Sequence, residues 1–294
     1  MSVSSPSRRR KWIIAALLVV TLMFGLYVAD GANRVPPMPV PQGVTKHTEK
    51  ISLQGETVPV DVYLPATKLE GAPVVIVSHG FSRHRRVMAE WGNAVALHGM
   101  IALVPNLPSF ADHGRNARAI EDLIRWAHEP GRALQPRPNG EVGLIGHSAG
   151  GFATLLAAVR EPRVRCWVGL DPVDFGDHGL RAVKRLKIPG LMLLAEPGAW
   201  NRHGNAVPWL NACPSLKALR IRGSTHCDPE MPTSHLAEMF CGKTDPARHG
   251  IYQHYALALL RQTLMNDPQA PDLIALAAKD ARVQVLPSGS AKAE

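Results

Sequence analysis

The pentapeptide Gly146-His147-Ser148-Ala149-Gly150 constrains this chain more than any other stretch. It fits G-x-S-x-G, a sharp strand-to-helix turn that lifts a serine hydroxyl above the end of a sheet. Its flanks supply the context such a turn needs. The apolar run 142–145 reads as a buried strand, with the turn signal Pro138-Asn139-Gly140 ahead of it. Behind the serine, residues 149–159 are small at first and then apolar and helix-prone. Small residues are needed there because the helix starts so close to the strand that larger side chains would collide. The competing reading is a glycine-rich turn whose serine merely caps a helix. The strand before and helix after favour an exposed nucleophile.

The rest of the chain alternates in the same way. Residues 50–53 and 58–64 alternate polar and apolar around Gln54-Gly55-Glu56, an antiparallel hairpin. Uniformly apolar runs at 73–78, 100–105, 164–170, 190–195 and 216–221 read as strands covered on both faces. Helical patterns fill 87–98, 116–128 and 249–265, and a short helix is expected at 272–279 before the tail loses its pattern. Strands alternating with helices predict an α/β fold, a mostly parallel twisted sheet with helices on both faces. Too few residues separate Asp171 from the strand at 190 for more than a small lid. The 294 residues, 46% hydrophobic and 19% charged, suffice for one large domain. The expected boundaries are 1–31 for an N-terminal segment, 32–47 for a proline-rich linker, 48–268 for the catalytic domain and 269–294 for a tail.

The net charge of +9 invites a nucleic-acid reading. Residues 1–31, however, hold Arg8, Arg9, Arg10, Lys11 and Asp30, a net +3 that leaves +6 elsewhere. Those remaining cations are scattered, with no basic helix face or interleaved aromatics, which argues against nucleic-acid binding. The basic cluster precedes an uncharged run at 12–29. Such a run is an export signal or an uncleaved anchor with its positive end inside. The anchor is the reading adopted, with the rest of the chain outside the cytoplasm. Cleavage near Ala29 and Gly31 would instead release a secreted or periplasmic protein. Cys166 sits in an apolar run and reads as a buried thiol. Cys213, Cys227 and Cys241 lie in polar, loop-like surroundings where one disulfide fits, the pairing open.

A serine nucleophile needs a base and a group to orient that base. In parallel sheets such residues collect at strand carboxyl ends. Of thirteen histidines, His226 is the candidate base, just past the last of these strands in a glycine-containing loop. His147 is expected to point away from the serine and His79 to shape a loop. His84, His113, His178, His203, His235, His249 and His254 read as surface or structural. Two carboxylates end strands within reach of His226, Asp171 and Glu196, with Asp174 a weaker third. For the oxyanion, the candidate backbone donors are the N–H groups of Ala149 and of Phe81, the latter in Ser78-His79-Gly80-Phe81. The side chain of Phe81 could also wall an acyl pocket. No metal or organic cofactor is implied, and the oligomeric state is left open.

The order His79-Gly80-Phe81, the serine pentapeptide, an acid and then His226 resembles the α/β-hydrolase superfamily over about residues 48–265. The loop at 78–81 with Trp91-Gly92 and His98-Gly99-Met100 is similar to cutinase-like polyester hydrolases and to the dienelactone hydrolase-like group. Leu170-Asp171-Pro172-Val173-Asp174 resembles chlorophyllases and platelet-activating-factor acetylhydrolases. The latter resemblance implies Asp171 as the acid; the cutinase-like one implies the next strand, where Glu196 stands. Dienelactone hydrolases use a cysteine nucleophile, and this chain has Ser148. The resemblance implies a serine hydrolase of carboxylic esters, acting on a small-molecule or polymeric ester through an acyl-enzyme.

Overall fold

A computed structural model describes residues 35–66, 70–132, 134–268 and 272–287. The run at 12–29, read from sequence as a signal or anchor, lies outside them. Among the described residues no helix is long and apolar enough to cross a membrane.

Nine strands form one sheet in the order β1-β2-β4-β3-β5-β6-β7-β8-β9. The hairpin β1 (Val44–Leu53) and β2 (Glu56–Pro65) is antiparallel and joins β4 (Ile101–Pro105) antiparallel. From β4 onward the pairing is parallel through β3 (Gly71–Ser78), β5 (Arg137–His147), β6 (Val164–Leu170), β7 (Gly190–Leu194) and β8 (Leu216–Ile221). The parallel strands carry apolar side chains on both faces, as two-sided cover requires. One face is packed by α2 (His113–Ala127) and α3 (Ala149–Ala158), with Leu123, Ala153 and Leu155 in that core. The other is packed by α1 (Ala89–Leu97) and α7 (Pro246–Leu264), with Trp91, Tyr252 and Leu260 buried there. The mostly parallel sheet with helices on both faces expected from the sequence is what this chain builds.

Three stretches differ from expectation. The hairpin starts at Val44, inside the stretch read as linker, because Val44 pairs with Pro65 at the far end of the register. The supposed turn Pro138-Asn139-Gly140 lies within β5: Gly140 takes φ +94° and the Asn139 side chain accepts from the Glu141 N–H. That is a local irregularity in the strand, not its end. Finally, the tail does not fray where expected. After α8 (Leu273–Ala277), β9 (Val283–Leu286) pairs antiparallel with β8 and closes the sheet edge. The connections after β6 and β7 are short, carrying only α4 (His178–Val183) and α5 (Trp209–Ala212) with a single 3-10 turn at Ala199–Asn201. No large lid domain intervenes among the described residues.

Candidate active site

Ser148 stands between the last residue of β5 and the first of α3, at φ 53° and ψ −121°. A non-glycine residue at positive φ is strained, and such strain persists only where the surroundings impose it. Here the Ser148 N–H donates to the Leu170 carbonyl at 2.9 Å, and the Ser148 carbonyl accepts from Phe152. The turn packs against the loop after β3 without space between them. A Cβ at Gly150 would lie 2.3 Å from the His79 carbonyl, and one at Gly80 would lie 3.1 Å from Ser148 Cβ. Only glycine permits this approach. It brings Gly80, the residue before Phe81, against the serine turn, and Ala149 opens the helix after the nucleophile.

His226 and Asp171 come to Ser148 from two further strand ends. The Ser148 hydroxyl donates to His226 Nε2 at 2.9 Å, and His226 Nδ1 donates to Asp171 Oδ2 at 2.6 Å. The carboxylate contact fixes the tautomer and leaves Nε2 free to accept. Burial alone would depress the His226 pKa, but the bond and charge of Asp171 outweigh it and raise it above the ordinary imidazole value. Asp171 is buried and takes a left-handed conformation at φ 43°. Its Oδ1 accepts from the Ala195 N–H at 3.0 Å, and Asn201 Nδ2 donates to Oδ2 at 3.1 Å. Both partners belong to the segment after β7, so the neighbouring strand's connection clasps the acid.

The other candidate carboxylates are occupied elsewhere. Glu196 is exposed, and its Oε1 accepts from the Gly223 N–H at 3.1 Å. It ties the β7 loop to the β8 loop and does not pair with the histidine. Asp174 accepts from the N–H groups of Gly179 and Leu180 at the start of α4 and from Trp209 Nε1. Its work is capping and packing. Among the described residues no three His, Cys, Asp or Glu side chains converge as metal ligands would.

One histidine behaves otherwise than expected. His147 does not point away from the site. It is buried, its ring centroid lies 4.8 Å from that of His226, and its Nε2 donates to the His226 carbonyl at 2.8 Å. Its Nδ1 faces Glu230 Oε1 at 3.5 Å without a bond. Burial first, then the nearby His226, push the His147 pKa down to about 4, so the ring is neutral and the Glu230 contact is no ion pair. Glu230 is itself neutralised: Arg83 donates to its Oε1 at 2.8 Å and its Oε2 at 2.5 Å, and Thr233 donates to Oε2. Burial would push its pKa up, but Arg83 draws it down to about 2. This buried group joins three loops of the site: Arg83 follows β3, His147 ends β5 and Glu230 follows β8. His79 does shape its loop, with Nδ1 donating to the Gly80 carbonyl at 2.8 Å and Nε2 accepting from the Leu107 N–H at 3.0 Å. His249, expected at the surface or in a structural role, is buried with Nδ1 on the Asp228 carbonyl.

The loop carrying His226 is folded around Asp228, which nothing in the sequence marked. Asp228 Oδ2 accepts from the Thr225 N–H, the Ser224 hydroxyl and Arg248 Nε at 2.7, 3.1 and 2.6 Å. A half-open cleft of about 240 Å³ adjoins Ser148, lined by Phe81, Leu107, Phe110, His113 and Ala149 among others. Phe81 and Phe110 meet tilted, 4.2 Å between centroids, and His113 packs on Phe175 at 4.3 Å. The cleft thus combines an aromatic, apolar side with polar members such as Arg83, Ser109 and Asn116.

The comparisons with known proteins bear on the fold. A family model described as the alpha/beta hydrolase family matches residues 74–290. The chain is similar to Chlorophyllase-1 of Arabidopsis thaliana, 33% identical over 114 residues that make up 34% of this chain and 35% of that protein. The chain therefore spans about a third of the length of the curated relative it matches. A sheet of this order, a strained serine at its strand-to-helix turn and a family match across most of the described fold lead to one assignment: the chain belongs to the alpha/beta hydrolase family.

Proposed function

We propose that the protein is a carboxylic-ester hydrolase working through Ser148, His226 and Asp171. The observation that carries this reading is the unbroken hydrogen-bonded chain from Ser148 Oγ through the His226 ring to Asp171, 2.9 and 2.6 Å long in its two links. In the first step Ser148 Oγ attacks the ester carbonyl and His226 Nε2 takes its proton. Asp171 holds the ring in its tautomer and stabilises the imidazolium. The N–H groups of Phe81 and Ala149 would hold the tetrahedral oxyanion, supplying donors where the charge develops. His226 returns the proton to the leaving alcohol, and an acyl-Ser148 remains. Water then gives a proton to His226 and attacks the acyl carbon, the bond to Ser148 Oγ breaks, and His226 returns the proton to Oγ as the acid leaves. The aromatic, half-open cleft and the short connections favour small-molecule or accessible polymeric esters over buried long acyl chains.

An acyltransferase would use the same residues with an alcohol in place of water. Comparing hydrolysis with alcoholysis products separates the two. The domain would work outside the cytoplasm, tethered through residues 12–29 if that run is not cleaved; alkaline extraction of the membrane fraction tests the tether. The central experiment is an ester panel of graded acyl length, run alongside fluorophosphonate labelling. Wild type should label and turn over, and Ser148→Ala should do neither. Equal labelling of Ser148→Ala, or none of the wild type, removes the nucleophile.

A further inference from the structure

Two thiols meet directly behind the candidate base. Cys227 follows His226 in the chain and is 2% exposed, with its Sγ 3.9 Å from the Ala237 carbonyl. Ala237 lies in α6 (His235–Cys241), and Cys241 stands four residues beyond it on the same helix face. That spacing sets Cys241 one helical turn beyond the carbonyl that Cys227 touches, close enough for the two thiols to shift each other's acidity. Cys241 keeps partial access to solvent, whereas Cys227 is buried. The remaining cysteines are held elsewhere. Cys213 packs on the Leu186 carbonyl and the Ser215 hydroxyl, buried rather than in the polar loop expected of it. Cys166 is buried beside Thr263, and burial pushes its thiol up to about 12. Of the pairings left open by the sequence, this geometry singles out one.

We propose that Cys227 and Cys241 are a redox modification site whose disulfide closes the segment from the base His226 to the end of α6. The oxidant is a small-molecule disulfide, for which oxidised glutathione serves as the probe. The Cys241 thiolate attacks one glutathione sulfur, the glutathione S–S bond breaks, and one glutathione leaves as thiolate. Cys227 gives its proton to solvent and attacks the Cys241 sulfur of the mixed disulfide, and the second glutathione leaves. The protein loses two electrons and two protons, and the oxidant becomes two reduced thiols. The order of attack follows from access: the half-exposed Cys241 meets the oxidant and the buried Cys227 resolves. The contact with Cys227 also holds the Cys241 thiol below its usual range, which favours the thiolate that attacks.

The consequence concerns α6. Its only buried residue is Ala237, while Met239 and Phe240 are exposed at 75% and 44%. The helix nevertheless packs beside the acid's clasp, since Trp200, next to Asn201, donates to the Phe240 carbonyl. A disulfide would fasten this thinly held helix to the base loop.

The test uses the full chain, purified reduced and then exposed to oxidised glutathione. No Lys or Arg lies between Arg222 and Lys243, so trypsin delivers both cysteines in one peptide. The expected product is that peptide lighter by two hydrogens, with backbone fragments between the cysteines missing. The oxidised protein should melt about 5 °C above the reduced one, the scale of a short closed loop in a domain of this size. Cys241→Ala should lose that redox-dependent shift; iodoacetamide-capped wild type serves the same purpose should the variant fold poorly. Separate glutathione adducts on the two cysteines, a link to Cys213, or thiols that stay alkylatable overturn the proposal. Mass readouts need no turnover, and Ser148→Ala must form the same link, so failure here is distinct from failure of the esterase reading.

Discussion

Two histidine rings lie 4.8 Å apart in this site, each facing a buried carboxylate, and they end with opposite basicity. His226 meets Asp171 at 2.6 Å, and its pKa is raised despite burial. His147 meets Glu230 at 3.5 Å, and its pKa falls to about 4. Distance is part of the difference, but the carboxylates' other partners matter as much. Glu230 is engaged by the Arg83 guanidinium, so little of its charge is left for His147. Asp171 receives the neutral donors Ala195 N–H and Asn201 Nδ2, so its charge is oriented without being cancelled. A buried carboxylate beside a histidine therefore makes a base only when no cation competes for it.

Replacing the acid should break this comparison most severely. Asp171→Asn is expected to lower kcat by roughly 10³- to 10⁴-fold, because the amide cannot hold the Nδ1–H tautomer or stabilise the imidazolium. The residual activity should lose its acidic limb to lower pH, since the group that raises the His226 pKa is gone. Glu196→Gln, at an exposed carboxylate that touches only Gly223, should leave kcat nearly unchanged. The reverse pattern across a pH series would move the acid one strand later.

The second carboxylate should matter for stability instead. Arg83 and Glu230 are 4% and 1% exposed, and removing one partner strands the other charge. Glu230→Gln should cost about 3–5 kcal/mol of unfolding free energy. The wild type carries a matching pH signature. His79, His147 and His249 have folded pKa values near 4, below the unfolded value near 6.5, so the fold holds them neutral. Stability they contribute is fully present above about pH 6.5 and is lost as pH falls toward 4. His226, raised, contributes in the opposite sense: its share is present below about pH 6.5 and fades as pH rises through its folded value. Urea midpoints should therefore fall steeply between pH 6.5 and 4. A flat profile would mean that none of the three rings is held neutral, His147 included, which erases the contrast.

How much of this was legible follows from how local each feature is. The strand, serine turn and helix are contiguous, so the pattern of 142–159 carried Ser148 and its surroundings. His226 follows from a rule about strand ends that needs no contact information, but the same rule leaves Asp171 and Glu196 both open, and it is the resemblance to chlorophyllases that favours Asp171. Arg83 and Glu230 are separated by 147 residues. Each reads as a solvated loop charge until the loops close on each other. Cys213 and Cys227 looked polar for the same reason, their neighbours in sequence not being their neighbours in space. His147 departs from expectation because a sharp turn that sends adjacent side chains apart does not say what each ring then packs against. The β9 strand holds only Val283, Gln284, Val285 and Leu286, too short a pattern to stand out before β8 is there to pair with it. Asn201 carries a sequence signal of the same kind: it lies a few residues past a strand end, among the same connections that hold the acid.

Asn201 offers the finest adjustment of the comparison. It donates to Asp171 Oδ2, the same oxygen that accepts from His226, and also to the Glu196 carbonyl. Asn201→Ala removes a neutral donor without adding charge. The carboxylate would then lean harder on its one remaining side-chain partner, so the His226 pKa should rise and the acidic limb of kcat/KM should move up, by about one pH unit on the scale of one hydrogen bond to a charged group. Looser positioning of Asp171 should lower kcat by only about 3- to 10-fold. The direction of the limb is the decisive readout, because Asp171→Asn moves it down. If Asn201→Ala moved it down as well, Asn201 would be holding Asp171 in reach of His226 rather than sharing its charge, and the contrast between the two carboxylates would rest on distance alone.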